Sequence, residues 1–272
     1  MKHIDINHEP VPALGLGTYS LKGKVCQEAV ADAIDIGYRH IDTARMYDNE
    51  HDVGLGIQQS GIDRDELFVT TKIWYTDLKH DQVLSATDDS LRQLQLDYVN
   101  LLLVHWPSEQ VPLKETLEAL TKVQQQGKAR LIGVSNFPPA MLKEAFSLAP
   151  VVCNQVEYHP YLGQSALINM VREHDALLTA YSPIAQGAVQ EDTTLRAIGE
   201  RYGKTPTQVA LRWLMEQDNV AAIPRASSHA HRAANFDVFD FSLTDEEIEQ
   251  IHTLSRGERL INPHWAPVWE EA

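Results

Sequence analysis

The 272-residue sequence predicts an α/β fold: a single (β/α)8 TIM barrel over residues 1–272, with an N-terminal β-hairpin and a C-terminal loop. Three observations predict it. Short apolar segments alternate about eight times with longer amphipathic ones, the rhythm of βα units around a parallel sheet. Apolar residues make up 43% of the chain, enough to bury one large core, and the length forces no domain boundary. Apolar runs also end on polar residues, and in such a barrel the chemistry lies at the C-terminal ends of the strands.

A polar-apolar alternation around Ile4 to Val11 predicts the hairpin. Eight candidate strands follow: Leu14 to Gly17, His40 to Asp42, Leu67 to Thr71, Val99 to His105, Leu131 to Val134, Val152 to Gln155, Leu177 to Tyr181 and Ala221 to Pro224. Between them, apolar residues recur at helical spacing in stretches such as Gln27 to Ile36, Asp81 to Leu94, Leu113 to Gln126, Ser165 to His174 and Pro206 to Glu216. Low-complexity segments and long Gly/Ser linkers are absent. A Rossmann fold is the rival architecture, suggested by Gly15 and Gly17. GLGTYS lacks the third glycine of GxGxxG, and no acidic residue is clearly placed for a ribose, so GLG reads as a tight turn and barrel-mouth backbone.

The net charge of -15 disfavours nonspecific binding to nucleic acid and to anionic membrane surfaces, both of which need a positive footprint. Cys26 and Cys153 belong to no CxxC pair or zinc spacing and read as reduced, buried thiols. MKHIDINHEPVP lacks the roughly 7 to 15 residue apolar core of a signal peptide. No segment approaches the roughly 20 apolar residues that span a bilayer, so a cytoplasmic location is expected.

The sharpest chemical signal is spread over three segments: Asp42 and Tyr47 in HIDTARMYDNE, Lys72 in LFVTTKIW, and His105 in LLLVHWP. Each has a plain structural reading: a cap, a rim aromatic, a solvated strand end, a satisfied core histidine. Together they form a proton-donor set. Tyrosine has an ordinary pKa of about 10 and gives up its proton reluctantly. An ammonium about 4 Å away is worth roughly 4 kcal/mol at an effective dielectric of 20, on the order of three pKa units. The expectation is that Lys72 lowers the Tyr47 pKa and makes it a general acid near neutrality.

This set, with its five-residue step from Asp42 to Tyr47, resembles the tetrad of the aldo-keto reductase superfamily. The resemblance runs nearly end to end, through LGLGTY at 14–19, GYRHIDTA at 37–44, IGVSNF at 132–137, NQVEYHPYL at 154–162, AYSP at 180–183 and IPRASS at 223–228. The closing RLINPHWAPVW is most similar to the bacterial 2,5-diketo-D-gluconate reductase B and methylglyoxal reductase branch.

The resemblance implies NADPH-dependent reduction of aldehydes and ketones by a soluble monomer, with Tyr47 as acid, Lys72 lowering its pKa, Asp42 placing Lys72 and His105 orienting the carbonyl. Small dicarbonyls such as methylglyoxal and keto acids such as 2,5-diketo-D-gluconate are the implied substrates, with aromatic aldehydes left open beside them. Ser135, Asn136 and Gln155 match positions that hold the nicotinamide carboxamide, which suits side chains offering a donor and an acceptor. Tyr181, followed by Ser182, matches the aromatic stacked on the nicotinamide. Arg225, Ser228, His231 and Asn235 match the phosphate and adenine positions, with Arg225 suited to a 2'-phosphate. His231 stands where the family usually has arginine and cannot make the same bidentate contact, which leaves NADH use open. No metal is expected, HAHR at 229–232 having no evident third ligand. Tyr19, Trp74, Trp106 and Trp265 are candidate walls of a C-terminal substrate loop and pocket, with Trp269 a further candidate, and the C-terminal pair Trp265 and Trp269 is divided between that role and packing on the barrel exterior. A second reading is a cofactor-sensing regulatory subunit of the same fold with little turnover.

Overall fold

The computed structural model of the protein describes residues 1–269. Its first two strands, β1 (His3–Ile6) and β2 (Glu9–Pro12), pair antiparallel. Asn7 and His8 make the turn at positive φ, and Ile6 and Val11 face inward. The main sheet has eight parallel strands in sequence order: β3 (Leu16–Gly17), β4 (His40–Asp42), β5 (Phe68–Ile73), β6 (Val99–Val104), β7 (Ala129–Ser135), β8 (Val151–Glu157), β9 (Leu177–Tyr181) and β10 (Val220–Ala222). The sheet closes on itself. Parallel bridges join Leu14 to Ala222 and Gly17 to Arg225, and the Gly15 and Gly17 amides donate to the carbonyls of Ala222 and Pro224 at 2.9 and 3.1 Å.

Helices cover the outside, which is why the strands are buried on both faces and read as continuous apolar runs. All six residues of β6 are buried. The helices are α1 (Gly23–Ile36), α2 (Glu50–Ser60), α3 (His80–Leu94), α4 (Leu113–Gln125), α5 (Pro139–Leu148), α6 (Ser165–Glu173), α7 (Thr193–Tyr202), α8 (Pro206–Glu216), α9 (His229–Phe236) and α10 (Asp245–His252). Local chemistry sets several of their starts. Thr205 and Gln208 form a capping box on α8 with Pro206 in its first turn, and Thr244 and Glu247 do the same for α10.

The predicted barrel, hairpin and five helical stretches are all present, with β4 and β9 at their expected bounds. Gly15 and Gly17 differ from the reading as a tight turn. They lie along the seam between β3 and β10, where a Cβ on Gly17 would meet the Ile223 carbonyl at 2.7 Å and one on Gly15 would meet the His40 ring at 2.8 Å. Their task is close strand packing. Both cysteines are free and buried, and burial pushes each thiol up to about 12. No described helix is long and apolar enough to cross a membrane.

Candidate active site

The C-terminal strand ends bring the four sequence-predicted catalytic residues into one cluster. Lys72, the fifth residue of β5, is fully buried, and its Nζ donates to Asp42 Oδ1 at 2.5 Å, to the Thr43 carbonyl at 2.8 Å and to Tyr47 Oη at 3.5 Å. Asp42 ends β4, and its other oxygen accepts from Gln155 Nε2 of β8 at 2.7 Å. The ammonium thus has three oxygen partners and its carboxylate a second donor, the satisfaction a buried ion pair requires. Tyr47 reaches it from the short 3-10 turn Arg45–Tyr47.

His105 follows β6 directly and sets its ring edge-on to Tyr47, with centroids 5.6 Å apart. Its Nδ1 is buried without a hydrogen-bond partner. Burial, then the neighbouring Lys72 charge, holds its pKa well below the ordinary imidazole value. The ring is therefore neutral at pH 7 and keeps polar capacity that no described residue uses.

One expectation is reversed. Burial, with Asp42 and Tyr19 adding to it, holds the Tyr47 hydroxyl well above its ordinary value of 10.0. Lys72 does not pull it down because Asp42 already offsets the ammonium at 2.5 Å, and burial lowers the pKa of Lys72 itself. Tyr47 stands protonated.

The residues matched to a carboxamide site are interlocked. Ser135 Oγ donates to the Gln155 carbonyl at 2.7 Å, and Asn136 Nδ2 donates to the His105 carbonyl at 2.9 Å and to Ser135 Oγ at 3.1 Å. Tyr181 Oη donates to Asn136 Oδ1 at 2.7 Å. Asn136 and Ser182 both have positive φ, 63 and 48, so the chain turns sharply just past β7 and β9 and aims these side chains across the mouth. Asn and Ser tolerate this conformation better than bulky residues.

Arg225 lies three residues past β10 and bridges to Gly17. Ser228 caps α9 and accepts from the His231 amide at 3.2 Å, while Asn235 is buried in the same helix. Arg225, Ser228 and His231 are exposed. His229 and Arg232 are held by Asp32 of α1, at 2.7 Å each, and so are not spare groups. Among the described residues no three His, Cys, Asp or Glu side chains converge as a metal site.

Aromatic rings surround the Tyr47 and His105 end of the cluster. Tyr19 packs edge-on against Tyr47 at 5.1 Å, and Trp74 against His105 at 5.0 Å. Trp265, from the C-terminal segment, meets Trp74 at 5.5 Å and Trp106 at 5.0 Å. Trp106 is only 4% exposed and stands behind Trp265. Trp269 packs on the barrel, its ring 3.7 Å from the Arg259 guanidinium carbon.

Three residues escaped the sequence reading. Tyr75 stacks on Trp265 at 4.7 Å, a contact its place after Trp74 hints at. Asn49 is buried and donates to the carbonyls of Thr18 and Leu21, fixing the loop that carries Tyr19. Glu157, in the quoted NQVEYHPYL, is a buried carboxylate with no local sign of its distant partners, the Leu260 and Ile261 amides.

Residues 13–256 match the aldo/keto reductase family. The chain is 40% identical over 257 residues to a glyoxal reductase of Bacillus subtilis, covering 93% of this chain and 92% of that one. It is 37% identical over 266 residues to methylglyoxal reductase DkgB of Yersinia pestis, covering 96% and 99%. Its structure superposes with a TM-score of 0.97 and 43% identity on that of a protein described as a 2,5-diketo-D-gluconic acid reductase B, over 100% of this chain and 98% of the other. An aldo-keto reductase of Bombyx mori in complex with NADP gives a TM-score of 0.90 at 33% identity, covering 96% and 95%. The chain belongs to the aldo/keto reductase family and is an oxidoreductase of that family.

Proposed function

We propose that this protein reduces aldehydes and ketones to alcohols with NADPH, and that its substrates are small dicarbonyls of the methylglyoxal kind, 2,5-diketo-D-gluconate, or both. The observation that carries the reading is the Lys72 ammonium shared among Asp42, the Thr43 carbonyl and the Tyr47 hydroxyl, beside an imidazole with an unused buried nitrogen. Such a set serves a reaction in which negative charge grows on an oxygen and a proton must reach it.

The residues fit a nicotinamide dinucleotide. Ser135, Asn136 and Gln155 are of the donor-and-acceptor type that matches an amide, though they now bond one another and their neighbours, and Tyr181 sets a ring beside them. Arg225 and Ser228, both exposed next to the α9 N-terminus, suit a phosphate. When bound, the reduced nicotinamide supplies the hydride.

Tyr47 gives its proton from Oη to the carbonyl oxygen. Its raised pKa keeps that proton in place until charge develops on the substrate, and Lys72 then stabilises the phenolate left behind. Asp42 holds Lys72 charged and pointed. His105, neutral and rigidly packed, donates to the same substrate oxygen and orients the carbonyl. The rings of Tyr19, Trp74 and Trp265 exclude water and favour a compact substrate. With His231 in place of a second arginine, the 2'-phosphate relies on Arg225, so NADPH is preferred over NADH by a reduced margin.

A steady-state assay with methylglyoxal, 2,5-diketo-D-gluconate and 4-nitrobenzaldehyde, following NADPH and NADH oxidation separately, tests this. NADPH-linked turnover of at least one dicarbonyl is expected. Tight NADPH binding with no turnover of any carbonyl would overturn the reading in favour of a cofactor sensor.

A further inference from the structure

After α10 the chain crosses the barrel mouth as a strap, and its root is tied to the loop after β8. The Arg256 and Glu258 amides donate to the Tyr161 carbonyl at 3.1 and 3.0 Å, and the Gly163 amide donates to Ser255 Oγ at 3.0 Å. Beyond Glu258, among the described residues, the hydrogen bonds that tie the strap to the barrel both end on one side chain. The amides of Leu260 and Ile261 donate to the two carboxylate oxygens of Glu157 at 2.8 and 2.9 Å. Trp265 follows on the same strap, against Trp74, Tyr75 and Trp106.

Glu157 is built for this task. It is the last residue of β8, and its side chain is fully buried. A buried carboxylate is retained only where donors replace its water. Here there are three, the third being His159 Nε2 at 3.0 Å. His159 Nδ1 accepts from the Tyr161 amide at 3.3 Å, which leaves Nε2 to carry the proton given to Glu157. Burial alone would raise the Glu157 pKa, yet these donors hold it below the ordinary carboxylate value. Two residues earlier, on the same row of β8, Gln155 reaches Asp42 at 2.7 Å. One strand therefore braces both the proton-donor set and the strap.

We propose that Glu157 is a positioning residue whose carboxylate clasps the strap, so that Trp265 closes the carbonyl pocket and sets affinity and selectivity for the carbonyl substrate without entering proton transfer. The effect on substrate rests on the reductase reading above; the clasp does not.

Glu157→Gln keeps the size but turns an amide N–H toward donors, and Leu260→Pro removes one strap N–H while leaving the buried carboxylate and His159 intact. Hydrogen exchange at 259–269, KM and kcat for methylglyoxal, and NADPH affinity are read for each. Exchange at least about tenfold faster in the strap is expected, with KM raised about tenfold, and kcat and NADPH affinity within about twofold. Trp265→Ala should raise KM similarly, and combining it with Glu157→Gln should add little, because both remove one wall. Unchanged strap exchange in Leu260→Pro, or KM effects that multiply in the double variant, would overturn the clasp. A merely structural Glu157 would instead lower NADPH affinity and kcat along with KM performance. Absence of turnover in the parent protein would overturn the reductase reading alone, since the exchange measurement needs no substrate.

Discussion

Two buried histidines stand at opposite ends of this barrel, and their surroundings separate structure from chemistry. His40 opens β4 at the floor, 1% exposed, with Nδ1 against the Pro12 carbonyl at 3.3 Å and Nε2 against Thr70 Oγ1 at 3.2 Å. His105 closes β6 at the mouth, 6% exposed, with Nδ1 unpartnered. Burial lowers both pKa values. Burial and titration therefore do not tell them apart; hydrogen-bond satisfaction does. A polar group that folding leaves unpaired costs about 1–3 kcal/mol, a cost that calls for a role beyond holding the fold.

The strongest way to break this contrast is at the mouth. Lys72→Met leaves Asp42 buried without its cation, so stability should fall by about 3–5 kcal/mol and turnover should vanish together. Denaturant unfolding monitored alongside the carbonyl assay checks this, and a variant of full stability would contradict the ion-pair account. Tyr47→Phe removes the proposed acid and keeps the ring. It should reduce kcat by a factor of about 10²–10⁴ while NADPH affinity, followed by fluorescence titration, stays nearly constant. Retained turnover would remove Tyr47 from the role of acid.

The two histidines then give a matched pair. His105→Leu should lower kcat about 10²-fold or more with no loss of stability, because the lost ring had an unpaired nitrogen. His40→Leu should do the opposite, leaving the Thr70 hydroxyl and Pro12 carbonyl without their partner. Stability should fall by about 1–3 kcal/mol and kcat per folded molecule should hold. If both variants lose activity equally, the floor and the mouth are not separable in the way proposed.

These contrasts also show what a sequence can carry. The barrel was legible because burial on both strand faces writes continuous apolar runs, and the candidate proton-donor set because Asp42 ends its strand, Lys72 is the last but one residue of its strand and His105 follows its strand. Pairings between distant segments leave no local trace. Glu157 and Leu260 are 103 residues apart, and nothing near either one announces the other. The same limit explains the reversed Tyr47 expectation. Lysine and tyrosine were readable as neighbours, but the 2.5 Å approach of Asp42, which offsets the ammonium, is a fact of packing. Gly15 and Gly17 were visible as glycines, while the seam that requires them exists only once the eighth strand returns to the first.

The smallest effect sharpens the comparison most, because it treats both histidines as one titrating pair. Each has a folded pKa below the ordinary 6.5, so the unfolded chain takes up protons that the folded protein refuses. Their neutral forms are matched to the fold above pH 6.5, and stability must fall as pH drops below it. The slope approaches about 1.4 kcal/mol per pH unit for each histidine until its folded pKa is reached. Between about pH 6.5 and 5.5 ordinary carboxylates stay ionised, and Glu50, whose buried carboxyl is held above its ordinary value, contributes with the opposite sign and is common to both histidine variants. Unfolding free energies measured across it should show a slope that His40→Leu and His105→Leu each reduce, although only one of them costs activity. An unchanged slope in either variant would mean that the histidine concerned charges freely inside the barrel, and would remove the shared burial from which the contrast starts.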